Sequence, residues 1–470
     1  MVKYKIQIYM NFLIKELNFM ENGIFYASQC GARLNSDVYA GGGDDDTNAL
    51  QAVLDKAKTS GRVHLVLDGA ARTSRSLVVY SNTTIECPDK SCGIFLSDNS
   101  NSSVIRNANF TDAPSDIQDR NITLRGGVYN HNSPGQVHHR AENPENSEDN
   151  SITNWVLAME LYGVENILLQ DLTIANQRTF AMLMMNFKYV TMENIHIDRR
   201  VRTSFENQDG LHFFGPGRFL TLRNIYGNSG DDFIALAPDE RDFTSSIEDV
   251  LIDGVHLDDA DQGIRLLSDG EGRLDRVVIK NVTGTYRSYG FIINPWVESK
   301  SGGNYGNIIF DTVDLRPMKN NYDYAPPFLF KLGGHIENLT LKNIYHHKPE
   351  YSHTFMVCGG DYCVDKPESP EKPTLIENLK IQNLHIAESE KPCVQEAYIR
   401  IKSRVDSMIL QDIYFKRAEG LSGGAFIRVE DDASVGDLHI VNAVMPASLG
   451  KTIDCAPGAV GYLRADIIQK

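Results

Sequence analysis

The chain has 470 residues, 41% hydrophobic and 23% charged, and 46 Lys and Arg against 62 Asp and Glu give a net charge of −16. With no stretch rich in Lys and Arg, that balance argues against a nucleic-acid groove or an anionic membrane surface as partner. No run of about 18 apolar residues occurs, so no membrane-spanning helix is expected, and the composition is that of a soluble globular protein.

The first residues, MVKYKIQIYMNFLIKELNFMENG, combine basic residues with an apolar run. Gln7 and Asn11 interrupt that run, and Lys15 and Glu16 follow it where an export signal would carry small residues. Residues 1–25 therefore read as an N-terminal extension and residues 26–470 as one domain. A cytoplasmic location is expected, with secretion as the alternative.

The segment DDDTNALQAVLDKAKTSG then reads as an amphipathic helix near residues 46–59. Asp46 or Thr47 is its expected cap. Ala49, Leu50, Val53, Leu54 and Ala57 form its apolar stripe, and Gly61 follows its end. Strand-like segments RVHLVLDG, SLVVYSNTTIEC and NITLRGGVYN come next. Two polar stretches, residues 131–153 and 361–373, read as loops. The seven cysteines, including Cys87 with Cys92 and Cys358 with Cys363, match neither zinc spacing nor a disulfide framework and read as plain thiols.

A repeat runs through the rest. ENILLQDLTIAN, FKYVTMENIHID, GRFLTLRNIYGN, IEDVLIDGVHLD and LDRVVIKNVTGT are followed by YGNIIFDTVDLR, IENLTLKNIYHH, IENLKIQNLHIA, VDSMILQDIYFK and VGDLHIVNAVMP. In each, apolar and polar residues alternate about a central Asn, Asp or Gly, the residue types that tolerate a left-handed bend. Further strands such as GLHFF, DFIAL and GIRLL lie between the copies. Two or three short strands recurring every 22 to 40 residues or so predict an all-β, right-handed parallel β-helix of about ten coils. The N-terminal helix would cover its first coil.

Within this frame Asp209 opens one short strand, and Asp231 and Asp232 open the equivalent strand 231 − 209 = 22 residues later, one coil on. Three carboxylates on adjacent coils repel one another, so their pKa values separate. That asymmetry suits a glycosidase, which needs one protonated acid and one ionised base. Rows of bend aspartates and a calcium site are the alternatives on spacing alone.

The residues resemble glycoside hydrolase family 28, the polygalacturonases and their relatives. Asn207-Gln208-Asp209-Gly210 is similar to that family's Asn-x-Asp-Gly motif, and Gly230-Asp231-Asp232 to its Gly-Asp-Asp. DADQGIRLL is similar to the strand that carries its later basic motif, and the likeness extends from the cap helix to about Trp296. The resemblance implies Asp231 as general acid, with Asp209 and Asp232 holding and deprotonating the water. It places Arg265 against the substrate and Asn207 as an orienting hydrogen-bonder. It implies no metal and no cofactor.

Two features depart from the family. Leu267 stands where its Lys would bind a galacturonate carboxylate, and no His-Gly follows Asp232. His212 is the candidate for the missing histidine, and His256 reads as structural. Arg241, Arg287, or Arg140 with His138 and His139 could replace the lost cation; otherwise the sugar is neutral. Trp296, one coil beyond Arg265, offers an aromatic face to a sugar ring. The expected activity is an inverting hydrolase cleaving an α-linked uronic acid or related sugar from a pectin-like oligosaccharide or polysaccharide. Exo action would follow if the loop 131–153 closes one end of the cleft. A calcium-dependent polysaccharide lyase and a non-enzymatic carbohydrate-binding spike or adhesin are the rivals, and a monomer is expected.

Overall fold

The centre of each of the ten repeats lies at positive φ: Asp171, Asn194, Asn224, Gly254, Asn281, Thr312, Asn343, Asn383, Asp412 and Asn442. These are the bends of the coils. Asn and Asp enter this region at little cost because their short side chains bond locally, and Gly has no Cβ to clash. The bend side chains also bond to one another from coil to coil. Asn383 Nδ2 donates to Asn343 Oδ1 at 2.9 Å, and Asn343 Nδ2 donates to Asp311 Oδ1 at 2.8 Å. Thr312 is the exception, a β-branched residue at φ 60°.

The computed structural model describes residues 23–109, 116–139, 155–201, 207–242, 244–268, 270–295, 302–319, 327–346, 354–360, 373–388 and 397–470. Contacts divide the chain into two units, Met1–Ala181 with Val190–Thr203, and Met182–Tyr189 with Ser204–Lys470. Each is wound as a right-handed parallel β-helix, the hand expected of parallel crossovers.

In the N-terminal unit Ile24–Tyr26, the first strand among the described residues, pairs with Val63–Val66. Leu65, Ile85, Leu124 and Leu169 stack in register. The expected helix forms as two pieces, Thr47–Leu54 and Ala57–Ser60, ended by Gly61 at φ 78°. Asp46 stands at the N-cap position, as expected, but its side chain makes no capping bond. Asp45 Oδ1 accepts the Thr47 N–H at 2.9 Å, while the Asp46 carboxylate turns back to accept the N–H groups of Arg33 and Leu34. Gln51 ties the helix to the first coil through both polar atoms of Val78.

In the C-terminal unit the buried side chains form continuous columns. One runs Leu222, Ile252, Ile279, Phe310, Leu341, Ile381, Leu410 and Ile440, all fully buried. Each such side chain contributes about 1.5–3 kcal/mol, which is why identical apolar positions recur in every repeat. Strands that the sequence divides at the bend run on through it, as in Ile247–Leu266 and Leu274–Ile293. A second column, Leu211, Ile234, Ile264, Phe291, Phe330, Met356, Ile399 and Ile427, carries the strands that hold the conspicuous acids.

Cys87 and Cys92 are buried free thiols, Cys455 is an exposed one, and Cys358 is buried. Cys363, Arg140, Trp296 and the stretch 361–372 lie outside the described residues, and the loop 131–153 is described only as far as residue 139.

Candidate active site

Register fixes the site. Leu211 pairs with Ile234, and the Gly210 N–H donates to the Asp232 carbonyl at 2.9 Å. Counting back two places on each strand sets Asp209 level with Asp232, which pairs in turn with Gln262. The local coil is therefore 232 − 209 = 23 residues long. Asp232, not Asp231, stacks on Asp209, and Asp231 lies one place earlier at the Gly230 bend. Gly210 has a steric reason to be glycine: a Cβ there would lie 2.3 Å from the Phe233 carbonyl oxygen.

Three register places beyond the column Asp209, Asp232 and Gln262, the residues His212, Ala235 and Arg265 form another. Only the methyl of Ala235 separates the imidazole from the guanidinium along that column. His212 Nδ1 lies 2.8 Å from Asp209 Oδ2, and its Nε2 lies 3.2 Å from Glu240 Oε2. Arg265 Nη1 lies 3.8 Å from Asp232 Oδ2. Asp209, Asp232, His212 and Arg265 are all buried, whereas Asp231 and Glu240 are half-buried.

The charges of these groups act on one another. Desolvation, reinforced by the charges of Asp209 and Asp232, pushes the Asp231 carboxyl well above the usual carboxylate range. Desolvation raises Asp232 to about 7 against the pull of Arg265, with Asp209 adding to the rise. Asp209 is also raised by burial, while its hydrogen bond from His212 opposes the rise. Burial alone would lower His212, but its bonds to Asp209 and Glu240 outweigh burial and raise it to about 10. At neutral pH it is an imidazolium clamped between two carboxylates, donating through both nitrogens. Asp232 Oδ1 and Gln262 Oε1, on residues paired in register, are buried acceptors without a hydrogen-bond partner among the described residues.

The structure thus brings together Asp209, Asp231, Asp232, Arg265 and His212. Asn207 is half-buried beside them and makes no hydrogen bond to a described residue. Leu267 is buried, its backbone N–H bonded to Leu236 O at 2.9 Å. His256 is exposed, 2.9 Å from Thr283 Oγ1, in the separate column Tyr226–His256–Thr283. Of the expected replacement cations, Arg287 is engaged by Asp259 and lies 3.7 Å from Asp261, and Arg241 is exposed. His138 and His139 belong to the N-terminal unit, where His138 lies against Trp155.

Sequence reasoning missed Glu240. It sits in APDER, just after the short strand Asp232–Ala237, outside any repeat. Only its place one turn of chain after the strand that opens with Asp232 marked it.

No protein-family model matches the chain, and no curated protein matches it. Solved structures do resemble it. A tailspike protein of the E. coli bacteriophage HK620 has a TM-score of 0.53 at 11% identity, covering 96% of this chain and 77% of that one. PfbA, a surface adhesin of Streptococcus pneumoniae, has 0.51 at 16%, covering 92% and 91%. An exopolygalacturonase from Thermotoga maritima has 0.50 at 12%, covering 95% and 91%. At these identities the likeness establishes the parallel β-helix and nothing finer.

Proposed function

We propose that this chain is an inverting glycoside hydrolase acting on a pectin-like oligosaccharide. The observation that carries the reading is the cluster itself: two raised carboxyls of different exposure, Asp231 and Asp232, beside Asp209, with His212 and Arg265 as local cations. Asp231, whose buried carboxyl holds its proton more tightly than an ordinary carboxylic acid, gives that proton to the glycosidic oxygen as the bond to the anomeric carbon breaks. Asp232, near 7, and Asp209 hold a water and take its proton as it attacks from the opposite face. The hydroxyl is thereby added with inversion, and both carboxyls return to their starting state by exchange with solvent. The unbonded Asp232 Oδ1 is an acceptor suited to that water.

Arg265 meets the sugar at the cleavage point, and a uronate carboxylate there would use the same guanidinium. Leu267 supplies no second charge, so a neutral sugar of similar shape competes well. The chain is tested by offering it defined uronic and neutral oligosaccharides and recording NMR spectra of the fresh product. New reducing ends that appear first as the inverted anomer support the reading. A retained anomer contradicts inversion, and an unsaturated, chelator-sensitive product points to a lyase. Binding without any cleavage points to an adhesin-like protein.

A further inference from the structure

Gln262 pairs in register with Asp232, one coil on, so the two side chains follow each other in one column. Gln262 is only 3% exposed, and its Oε1 has no hydrogen-bond partner among the described residues. Buried polar groups are nearly always bonded, and an unpaired one costs stability. Asp232 Oδ1, the unpaired acceptor beside it, suits the attacking water. Gln262 Oε1 is left over, and what it needs is a donor. The cations nearby are already matched. Arg265 lies 3.8 Å from Asp232, and His212 is held between Asp209 and Glu240. Arg287 is engaged by Asp259 and lies 3.7 Å from Asp261, and Arg241 is exposed. Further along the same face Tyr289 follows Gln262 and Ile292 follows Arg265, both buried in an apolar cluster with Phe328 and Val357. Lys331, next after Ile292, is fully buried and donates to the carbonyls of Gly359 and Gly360.

We propose, resting on the hydrolase reading of these acids, that the sugar at the cleavage point is neutral and that Gln262 Oε1 accepts a hydrogen bond from one of its hydroxyl groups. A hydroxyl donates, which is what the buried oxygen lacks. An ionised carboxylate only accepts, so it meets neither Gln262 Oε1 nor Asp232 Oδ1. A uronate would also set one more negative charge beside Asp209, Asp231 and Asp232, and would have to compete with Asp232 for Arg265. A site built around a buried hydrogen-bonding group discriminates far more sharply than apolar packing does. Gln262 is thus a binding residue that sets the class of sugar, and it takes no part in moving the proton.

Calorimetric titration of the full chain carrying Asp231→Asn reads binding without cleavage. The probes are matched α-linked trisaccharides of the galacto, gluco and manno series, each pair differing only in a hydroxymethyl group or a carboxylate at C6. The best neutral trisaccharide is expected to bind about tenfold or more tightly than its uronic counterpart, and adding Gln262→Met should weaken it about tenfold. The same change should leave the unfolding midpoint level or higher, since it removes an unpaired buried oxygen. A uronic trisaccharide that binds as well as its neutral counterpart overturns the proposal. So does a Gln262→Met protein with undiminished affinity or a lowered midpoint, and so does a panel in which nothing binds. Neutral binding with no cleavage by the wild type would instead overturn the hydrolase reading and leave the neutral-sugar site standing.

Discussion

His212 is where the electrostatics can be tested without a substrate. In the variant His212→Gln, the two carboxylates of Asp209 and Glu240 lose the cation between them. The separation between the ordinary imidazole value of 6.5 and about 10 here corresponds to roughly 5 kcal/mol of preference for the charged form. Breaking a buried charged pair by removing one partner independently suggests about 3–5 kcal/mol. Because the folded value lies above the unfolded one, this contribution is fully present below pH 6.5 and disappears as pH rises through 10. Urea unfolding of both proteins at pH 6, 8 and 10 reads it directly. The variant should be less stable by about 3–5 kcal/mol at pH 6, and the difference should shrink below ~1 kcal/mol near pH 10. A gap already below ~1 kcal/mol at pH 6, or one that does not change with pH, would show that the imidazolium does not hold these carboxylates.

Activity should fall as pH drops through about 7, where Asp232 takes up a proton; a pH–rate profile with no acid limb near 7 contradicts the assignment. Since burial raises Asp232, ionising it weakens the fold as pH climbs above the ordinary carboxylate value, so Asp232→Asn should gain about 2 kcal/mol of stability at pH 8 while losing activity. Thermal and urea unfolding check the first half and a rate assay the second. Asn343→Ala should lose about 2–3 kcal/mol, from left-handed strain plus two ladder bonds, whereas Asn343→Gly should lose only the bonds. Phe310→Ala, which opens the core column between Ile279 and Leu341, should lose about 3–5 kcal/mol in the same unfolding assay.

The sequence carried the fold because its signals are local and repeated. A coil needs a bend residue that enters positive φ and two flanking apolar positions, and ten copies of that pattern are visible without any knowledge of pairing. The column His212–Ala235–Arg265 was half visible. His212 and Arg265 stand third in GLHFF and GIRLL, but Ala235 stands fourth in DFIAL, so the column and the local coil length of 23 come only from backbone pairing. For that reason spacing set Asp231 above Asp209, where the structure sets Asp232. Glu240 and the Asp45 cap were illegible because each lies outside a periodic segment, where side-chain direction depends on the path of a single loop. Thr312 shows the opposite failure, a bend held by its neighbours in spite of an unfavourable residue.

The central claim is that Asp231 supplies the proton that breaks a glycosidic bond. Single-turnover hydrolysis by Asp231→Asn on whichever oligosaccharide the wild type cleaves tests it most directly. The account predicts a rate about 10²–10⁴-fold lower or beyond, with unfolding midpoint and substrate binding unchanged. A variant that cleaves at the wild-type rate would contradict it.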